Sequence, residues 1–225
     1  MENKAFETKK DYILRRLREK ILAGEYAPGD RLKTRQLAEE FGTSEIPVRE
    51  AINQLASTGL VSITPHVGAT ASLISSRDLE EIFQIRTALE SLAIRLATPA
   101  LTDQDLDELD RMAHELEEAV AQNAPPEQLN ALNRRLHMAI YQHSGNRRLI
   151  QGIEELWNHA GRYPGPLTGS DDSTRRSIEE HRAILDSLRD RDANTAAVLT
   201  EAHKSRAMRG ILQRVRDMEQ QQKHS

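Results

Sequence analysis

The chain of 225 residues contains no cysteine, which excludes disulfide bonds, thiolate metal sites and cysteine nucleophiles. It also lacks any apolar stretch near the length of about 20 residues that a helix needs to cross a bilayer. The first twenty residues are charged throughout and contain no apolar run typical of a signal peptide. We therefore expect a soluble cytoplasmic protein that has no membrane partner.

A strong positive charge is also missing, because 31 Lys and Arg stand against 35 Asp and Glu, a net charge of −4 at pH 7. Residues 1–72 carry 11 basic and 10 acidic side chains, so the acidic excess belongs to the remainder. Nucleic-acid binding must therefore be argued from local geometry and not from bulk charge. The length favours two domains of about 75 and 150 residues.

The first part of the chain has the pattern of a compact helical domain that ends in a hairpin. Apolar residues recur at helical spacing over 8–23, and a turn rich in Pro and Gly follows. Thr34 and Ser44 are placed to cap two short helices. Two β-prone runs then flank residues 65–68 and predict a hairpin. This order is that of a winged helix-turn-helix, and we assign it to residues 1–74.

The second short helix separates an apolar face from a polar one. Its apolar positions are Val48, Ile52 and Leu55. The opposite stripe carries Arg49 and Asn53, four residues apart, together with Glu45. In a major groove, Arg binds guanine and Asn binds adenine. The pattern also allows an alternative, in which Arg49 forms an ion pair with Glu45 or Glu50 on a solvent-exposed face.

Residues 75–225 have a wholly helical pattern. Breaks occur at Pro99, at Pro125–Pro126, at Ser144–Asn146 and in the loop GRYPGPLTGSDD. The predicted helices lie near 76–98, 102–122, 126–143, 147–159, 173–190 and 192–218. The polar ending DMEQQQKHS is expected to fray. The fold class is therefore mainly α, with a winged helix-turn-helix followed by an all-α helical bundle.

Several polar residues of the second domain lie on apolar helical stripes. His137 and Asn133 are four residues apart on one stripe, and His181 and His203 lie on the stripes of two successive helices. Burying an imidazole is costly unless it is hydrogen-bonded or bound to a metal ion. Three histidines with one oxygen ligand suit a divalent ion such as zinc or nickel. The alternative is that these imidazoles are hydrogen-bonded within the core.

Arg86 and Glu90 lie on the inward face of the helix near 76–98. One interpretation is a partly buried ion pair at i, i+4 spacing. The other is that Arg86 lines a cavity and binds the carboxylate of a ligand through both arms of its guanidinium. The pattern leaves both interpretations open.

The N-terminal motifs resemble the winged-helix domain of the GntR family of bacterial regulators. The matching segments are GEYAPGDRL (24–32), LAEEFGTS (37–44), PVREAINQLASTGLV (47–61) and the wing turn. The resemblance implies that Arg35 and Arg49 contact DNA, and that Ser44 and the wing around His66 and Gly68 contact the backbone or the minor groove. Asn53 completes the exposed face of the second helix.

Two positions depart from the usual pattern of that family. Glu45 stands where a basic residue is common, and Val67 stands before the wing glycine where the family often has a basic residue. An acidic side chain repels phosphates unless it accepts from a cytosine amino group. Both departures bear on which operator is bound and how tightly.

The C-terminal part resembles the FCD ligand-binding domain of FadR-type GntR regulators. The matching segments are RTALESLAIRLA (86–97), NRRLHMAIYQHSGN (133–146) and EEHRAILDSLRDRDANTA (179–196), followed by His203. The resemblance implies metal ligands at Asn133, His137, His181 and His203, although metal-binding members have Asp where this chain has Asn133. It also implies a small organic or sugar acid as effector, chelating the metal and paired with an arginine.

These observations predict a regulator that binds double-stranded operator DNA as a homodimer, most simply a repressor. A hydrolase is the main alternative, because a three-histidine metal site can activate water. No general base accompanies the ligands on their stripes, and the winged helix would then have no use, so we predict that the chain is not an enzyme. A helical partner-binding protein with a vestigial DNA module is the third alternative.

Overall fold

The computed structural model describes residues 8–22, 25–26, 29–72, 75–161, 163–168 and 171–224. Within these residues the fold is helical apart from one hairpin, which confirms the predicted fold class. The α-helices are α1 (Lys9–Leu22), α2 (Thr34–Glu40), α3 (Glu45–Ser57), α4 (Ser76–Ala97), α5 (Asp103–Ala121), α6 (Pro126–Gln142), α7 (Arg147–Ala160), α8 (Asp172–Arg189) and α9 (Ala193–His224). The strands are β1 (Val61–Thr64) and β2 (Gly68–Ala71).

The described residues form two compact units. The first contains the chain up to Asp78, the segment Asn158–Tyr163 and the end of α9 from Arg214. The second contains Leu79–Trp157 and Pro164–Gln213. The domain boundary that we place between residues 74 and 75 stays a prediction, since residues 73 and 74 lie outside the described part.

The core of the first unit is made by the apolar positions that the sequence pattern selects. Val48, Ile52 and Leu55 of α3 are buried, and they pack with Ile13 and Leu17 of α1. The polar stripe of α3 is left facing outward as a consequence. α2 and α3 are therefore held by their apolar faces in the order expected of a helix-turn-helix.

The ends of the short helices differ slightly from the predicted ones. Thr34 is the first residue of α2 and Lys33 is its N-cap, so the prediction that Thr34 caps this helix is wrong by one position. Ser44 does precede α3 as its N-cap, but its side chain makes no capping hydrogen bond. Gly42, between the two helices, has φ 60°, a conformation that glycine adopts without strain. The turn residues Gly24 and Pro28 lie outside the described part.

The hairpin is antiparallel, with Val61 opposite Ala71 and Thr64 opposite Gly68. His66 in its turn has φ 64° and Gly68 has φ 94°. The amide of Leu32 donates to the carbonyl of Ala69, which fastens the hairpin to the chain between α1 and α2. The predicted wing is thus present and anchored at its base.

The second unit is built around α5, which packs against α6 and α8. Apolar residues of α6 and α8, including Leu136, Ile140 and Ile184, are buried in the core that surrounds the polar stripes. Arg182 of α8 donates two hydrogen bonds to the carboxylate of Glu117 of α5. This pairing helps to fix the rotation of α8, which carries His181 beside Arg182.

The last helix extends farther than the sequence predicts. α9 continues to His224, whereas the pattern places its end at 218 and expects the polar ending to fray. Glu, Gln, Lys and Met are good helix formers, so a polar composition does not end a helix. Among the described residues, no helix combines the length and apolar character needed to cross a bilayer.

Candidate metal centre and nucleic-acid interface

Three imidazoles from three helices meet inside the second unit, and we call them the histidine cluster. His137 of α6, His181 of α8 and His203 of α9 are 1%, 3% and 3% exposed. Each offers one ring nitrogen within 4.8 Å of the other two, and the Nε2 atoms of His137 and His181 are 3.1 Å apart. Two nitrogens bound to one ion at about 2.1 Å lie about 3.0–3.4 Å from each other.

His203 has its tautomer set by a neighbouring carboxylate. Its Nδ1 lies 2.7 Å from Oε2 of Glu180, which also accepts two hydrogen bonds from Arg206. Burial alone would raise the pKa of Glu180, but the hydrogen bonds from His203 and Arg206 outweigh it and lower the pKa to about 2. Glu180 is therefore an acceptor, so Nδ1 of His203 carries the proton and Nε2 keeps its lone pair.

His137 has its tautomer set by a phenol. The hydroxyl of Tyr141 donates its single proton to Glu90 at 2.7 Å, and its oxygen lies 3.3 Å from Nδ1 of His137. That oxygen can only accept from the ring, so Nδ1 of His137 is protonated and Nε2 is free to bind a cation. Two of the three imidazoles thus present Nε2 lone pairs.

The donor set fits a divalent ion. Oδ1 of Asn133 is buried and has no hydrogen-bond partner among the described residues. A buried polar atom without a partner is costly, and native proteins contain few of them. Neutral imidazole nitrogens and one amide oxygen are acceptable ligands for zinc or nickel. Asn133, His137, His181 and His203 are therefore suited to hold such an ion.

Burial keeps the histidine cluster neutral. It lowers the pKa of His137 and His181 well below 6.5, with the charge of Lys204 adding to the effect at both rings, and it lowers that of His203 despite Glu180. Neutral imidazole is the form that binds metal ions, and protons compete with metal for the same lone pairs.

We expect the metal-free protein to lose stability between pH 6.5 and about 5. Below pH 6.5 the unfolded chain binds more protons on these three histidines than the folded chain, so the free energy of unfolding falls as the pH is lowered. Each histidine contributes up to about 1.4 kcal/mol per pH unit. Urea unfolding in excess chelator measures this, and a flat profile across that window would contradict it. Glu90 and Glu180, whose pKa values are about 2, act only at lower pH.

A second group of buried charges, the Glu90 cluster, lies beside the histidine cluster. The carboxylate of Glu90 contacts Nε of Arg86 at 2.8 Å and Nζ of Lys204 at 2.7 Å, in addition to Tyr141. Burial would raise the pKa of Glu90, but Arg86 and Lys204 outweigh it and lower the pKa to about 2. Burial lowers the pKa of Lys204 to about 8, although Glu90 opposes the shift. The predicted pair of Arg86 and Glu90 is therefore part of a larger cluster.

Trp157 of α7 connects the two clusters. The guanidinium carbon of Arg86 lies 4.1 Å from the centre of its ring, Nζ of Lys204 lies 4.9 Å away, and the guanidinium carbon of Arg134 lies 5.8 Å away. The ring of His137 is centred 6.1 Å from it. Its Nε1 is buried and has no acceptor among the described residues.

Sequence patterns alone missed Lys204, Glu180, Tyr141 and Trp157. Lys204 could have been found by its heptad spacing, because it lies seven residues after Ala197 and seven before Ile211, which are both buried. Tyr141 is four residues from His137 and shares its face. For Glu180 and Trp157 we find no pattern in their own segments, since their roles arise from contacts with other helices.

The candidate DNA-binding residues all lie on the outside of the first unit. Arg49 keeps 68% of its side chain exposed and forms an ion pair with Glu45 at 2.8 Å, so part of the alternative drawn from the sequence is present. Arg35 is 84% exposed and pairs with Glu39. The remaining candidates are also exposed, namely Ser44, Asn53, His66 and Gly68.

A winged helix-turn-helix followed in the same chain by a helical unit with a closed polar centre is the organisation of a DNA-binding transcriptional regulator. Family comparison agrees with this class. Residues 9–70 match the gntR family of bacterial regulatory proteins, and residues 81–206 match the FCD domain. The chain belongs to the GntR family and carries an FCD domain.

Similar proteins are transcriptional regulators and not enzymes. The HTH-type transcriptional regulator McbR of Escherichia coli K12 is 35% identical over 182 residues, covering 78% of this chain and 80% of McbR. A solved structure of E. coli McbR/YncC has a TM-score of 0.65 at 30% identity, covering 95% of this chain and 98% of that one. The galactonate operon transcriptional repressor of E. coli K12 is 25% identical over 211 residues, covering 84% and 90%.

Proposed function

We propose that the chain represses transcription in the cytoplasm by binding an operator as a homodimer, and that a small organic or sugar acid releases it. The observation that carries this proposal is the meeting of three neutral, buried imidazoles in a chain that also has an exposed winged-helix surface. A sensor needs a few polar groups that converge in a closed environment, and the histidine cluster with the Glu90 cluster supplies such groups.

Asn133, His137, His181 and His203 would hold one divalent ion, zinc or nickel. A bound ion would supply positive charge that anchors an oxygen atom of the effector. Arg86 uses Nε for Glu90, and its guanidinium is placed to pair with a carboxylate of the effector. Glu90 contributes by holding Arg86 and Lys204 in position. The name of the galactonate operon repressor, a relative, concerns a sugar acid and supports this class of effector.

The homodimer is supported by an apolar stripe on the outside of α4. Ile85, Leu92 and Leu96 are 53%, 43% and 39% exposed, and their spacing of seven and four residues places them on one face. Large apolar side chains grouped on a solvent-facing helix are typical of a contact surface. A twofold dimer would present two α3 helices to the two halves of a palindromic operator.

The effector would act by binding one arrangement of the protein more tightly than the other. His137, His181 and His203 lie on three different helices, so a ligand that gathers them favours one mutual placement of α6, α8 and α9. We infer that this arrangement is the one with the lower operator affinity.

A test begins with an operator selected from random double-stranded oligonucleotides. Footprinting should show two protected half-sites about one helical turn, roughly 34 Å, apart. Addition of the effector acid with zinc should weaken binding by about 5-fold to 150-fold, the usual range of such coupling. A panel of organic and sugar acids is screened by gel shift at fixed salt. An acid that tightens binding would reverse the sign that we propose, and a single protected half-site would contradict the dimer.

A further inference from the structure

The Glu90 cluster carries more positive than negative charge. Arg86 and Lys204 are each 4% exposed, and the single carboxylate of Glu90, 0% exposed, contacts both. Tyr141, the remaining partner of Glu90, is neutral, because burial raises the pKa of its phenol well above 10. Two buried cations thus share one anion. A buried charge without a counterion is among the costliest features that a protein can hold.

The surroundings of this cluster add a further donor. Arg86 and Lys204 both lie over the ring of Trp157, so the two cations of the cluster flank one indole. The indole face attracts cations but does not cancel their charge. The buried Nε1 of Trp157 is a donor without an acceptor among the described residues. Lys204 and Nε1 of Trp157 together call for an anionic oxygen atom.

The histidine cluster contributes no negative charge that could serve as the counterion. Its imidazoles are neutral, and the amide of Asn133 is neutral as well. Glu180 beside His203 is matched by Arg206, which donates to both of its oxygens. A divalent ion held by these residues would therefore bring its two charges uncompensated.

We propose that the ligand of the second unit is a small dianion, with one anionic group directed to the histidine cluster and the other bound by Arg86, Lys204 and Trp157. This inference rests on the proposed function and narrows the class of effector. A monoanion could neutralise either the metal ion at the histidine cluster or the excess cation of the Glu90 cluster, but not both. A dianion whose two anionic groups are a few bonds apart could neutralise both charges. Dicarboxylates and phosphate monoesters share this chemistry.

Trp157 makes the proposal measurable, since it is the only tryptophan of the chain and lies against Lys204. Its fluorescence is titrated in the full-length protein, with zinc and with chelator. The probes are succinate, malate, glycerol 3-phosphate and inorganic phosphate, and each dicarboxylate is compared with its monoamide. We expect at least one dianion to bind about tenfold more tightly than its matched monoanion. The carboxylate and phosphate arms show which source of dianion the site accepts.

Three variants separate the charge of Lys204 from its packing. Lys204→Met should reduce the preference for the dianion to less than about threefold, because it removes the cation and keeps the apolar stem. Lys204→Arg should restore the preference, which a merely structural role would not predict. Lys33→Met, a change at an exposed lysine of the first unit, is the matched control and should behave as the wild type. Circular dichroism checks that each variant is folded.

The results of these titrations distinguish a failure of the dianion proposal from a failure of the proposed function. If no dianion in the panel binds more tightly than its monoanion, or if Lys204→Met keeps the full preference, the proposal is wrong. Operator binding is measured in the same samples by gel shift. An operator released equally well by monoanions would reject the dianion and leave the proposed function standing, whereas an operator that no acid releases would count against the proposed function itself.

Discussion

Replacement of Arg49 by alanine should weaken binding to the selected operator by about 100-fold or more. The side chain is 68% exposed on the face of α3 opposite Val48 and Ile52, so its loss would remove the proposed contact to DNA and removes none to the core. One bidentate contact of arginine with a base is worth about 1–3 kcal/mol, and a dimer would lose two of them. Gel-shift titration at fixed salt measures the affinity, and thermal unfolding should be unchanged.

Glu45→Ala provides the matched control for Arg49→Ala. In the free protein Glu45 holds Arg49 in an ion pair at 2.8 Å, and an exposed pair of this kind contributes little to stability. Its removal frees the arginine and takes an acid away from the DNA phosphates, so we expect equal or tighter binding. Unaltered affinity in Arg49→Ala would show that α3 is not the recognition helix. Weaker binding in Glu45→Ala would instead indicate that Glu45 accepts from a base.

The elements of the fold could be predicted from sequence where periodicity and breaks agree. α6 was expected over 126–143 and spans Pro126–Gln142, and α8 was expected over 173–190 and spans Asp172–Arg189. Both segments have a regular apolar stripe and clear breaks. The errors lie at helix ends, where Lys33 takes the place expected for Thr34 and where α9 runs on to His224. Local hydrogen bonding decides these ends, and side-chain type alone does not specify it.

The sequence indicated the histidines with Asn133 and the pair of Arg86 and Glu90, but not the side chains of other helices that contact them. A histidine within an apolar stripe stands out because burying it is costly, and three such positions suggested one cluster. Of the Glu90 cluster, the sequence indicated only Arg86 and Glu90, because they are four residues apart on one helix. Lys204 lies on α9 and Trp157 on α7, and the sequence of α4 does not indicate that Glu90 contacts Lys204 or that Arg86 contacts Trp157. Long-range partners depend on helix packing, which periodicity does not determine.

Purified protein should contain about one divalent ion per chain, and the double variant His137→Ala/His181→Ala should contain almost none. These two rings supply the closest pair of nitrogens, 3.1 Å apart, and an ion left with His203 and Asn133 alone has too few ligands for tight binding. Metal analysis after purification without chelators measures the content. The variant should also lose its response to the effector acid and keep operator affinity, because the first unit is untouched.

The double variant His114→Ala/His159→Ala is the matched control, because it removes the same number of histidines from exposed positions of helices α5 and α7. It should retain the ion, which separates specific binding from loose binding to surface imidazoles. His181→Gln keeps more of the buried volume than alanine does, so it separates the loss of a metal ligand from the loss of packing. Equal and negligible metal in the wild type and in both double variants would leave the histidine cluster as a hydrogen-bonded core, and the effector would then have to be held by the Glu90 cluster alone.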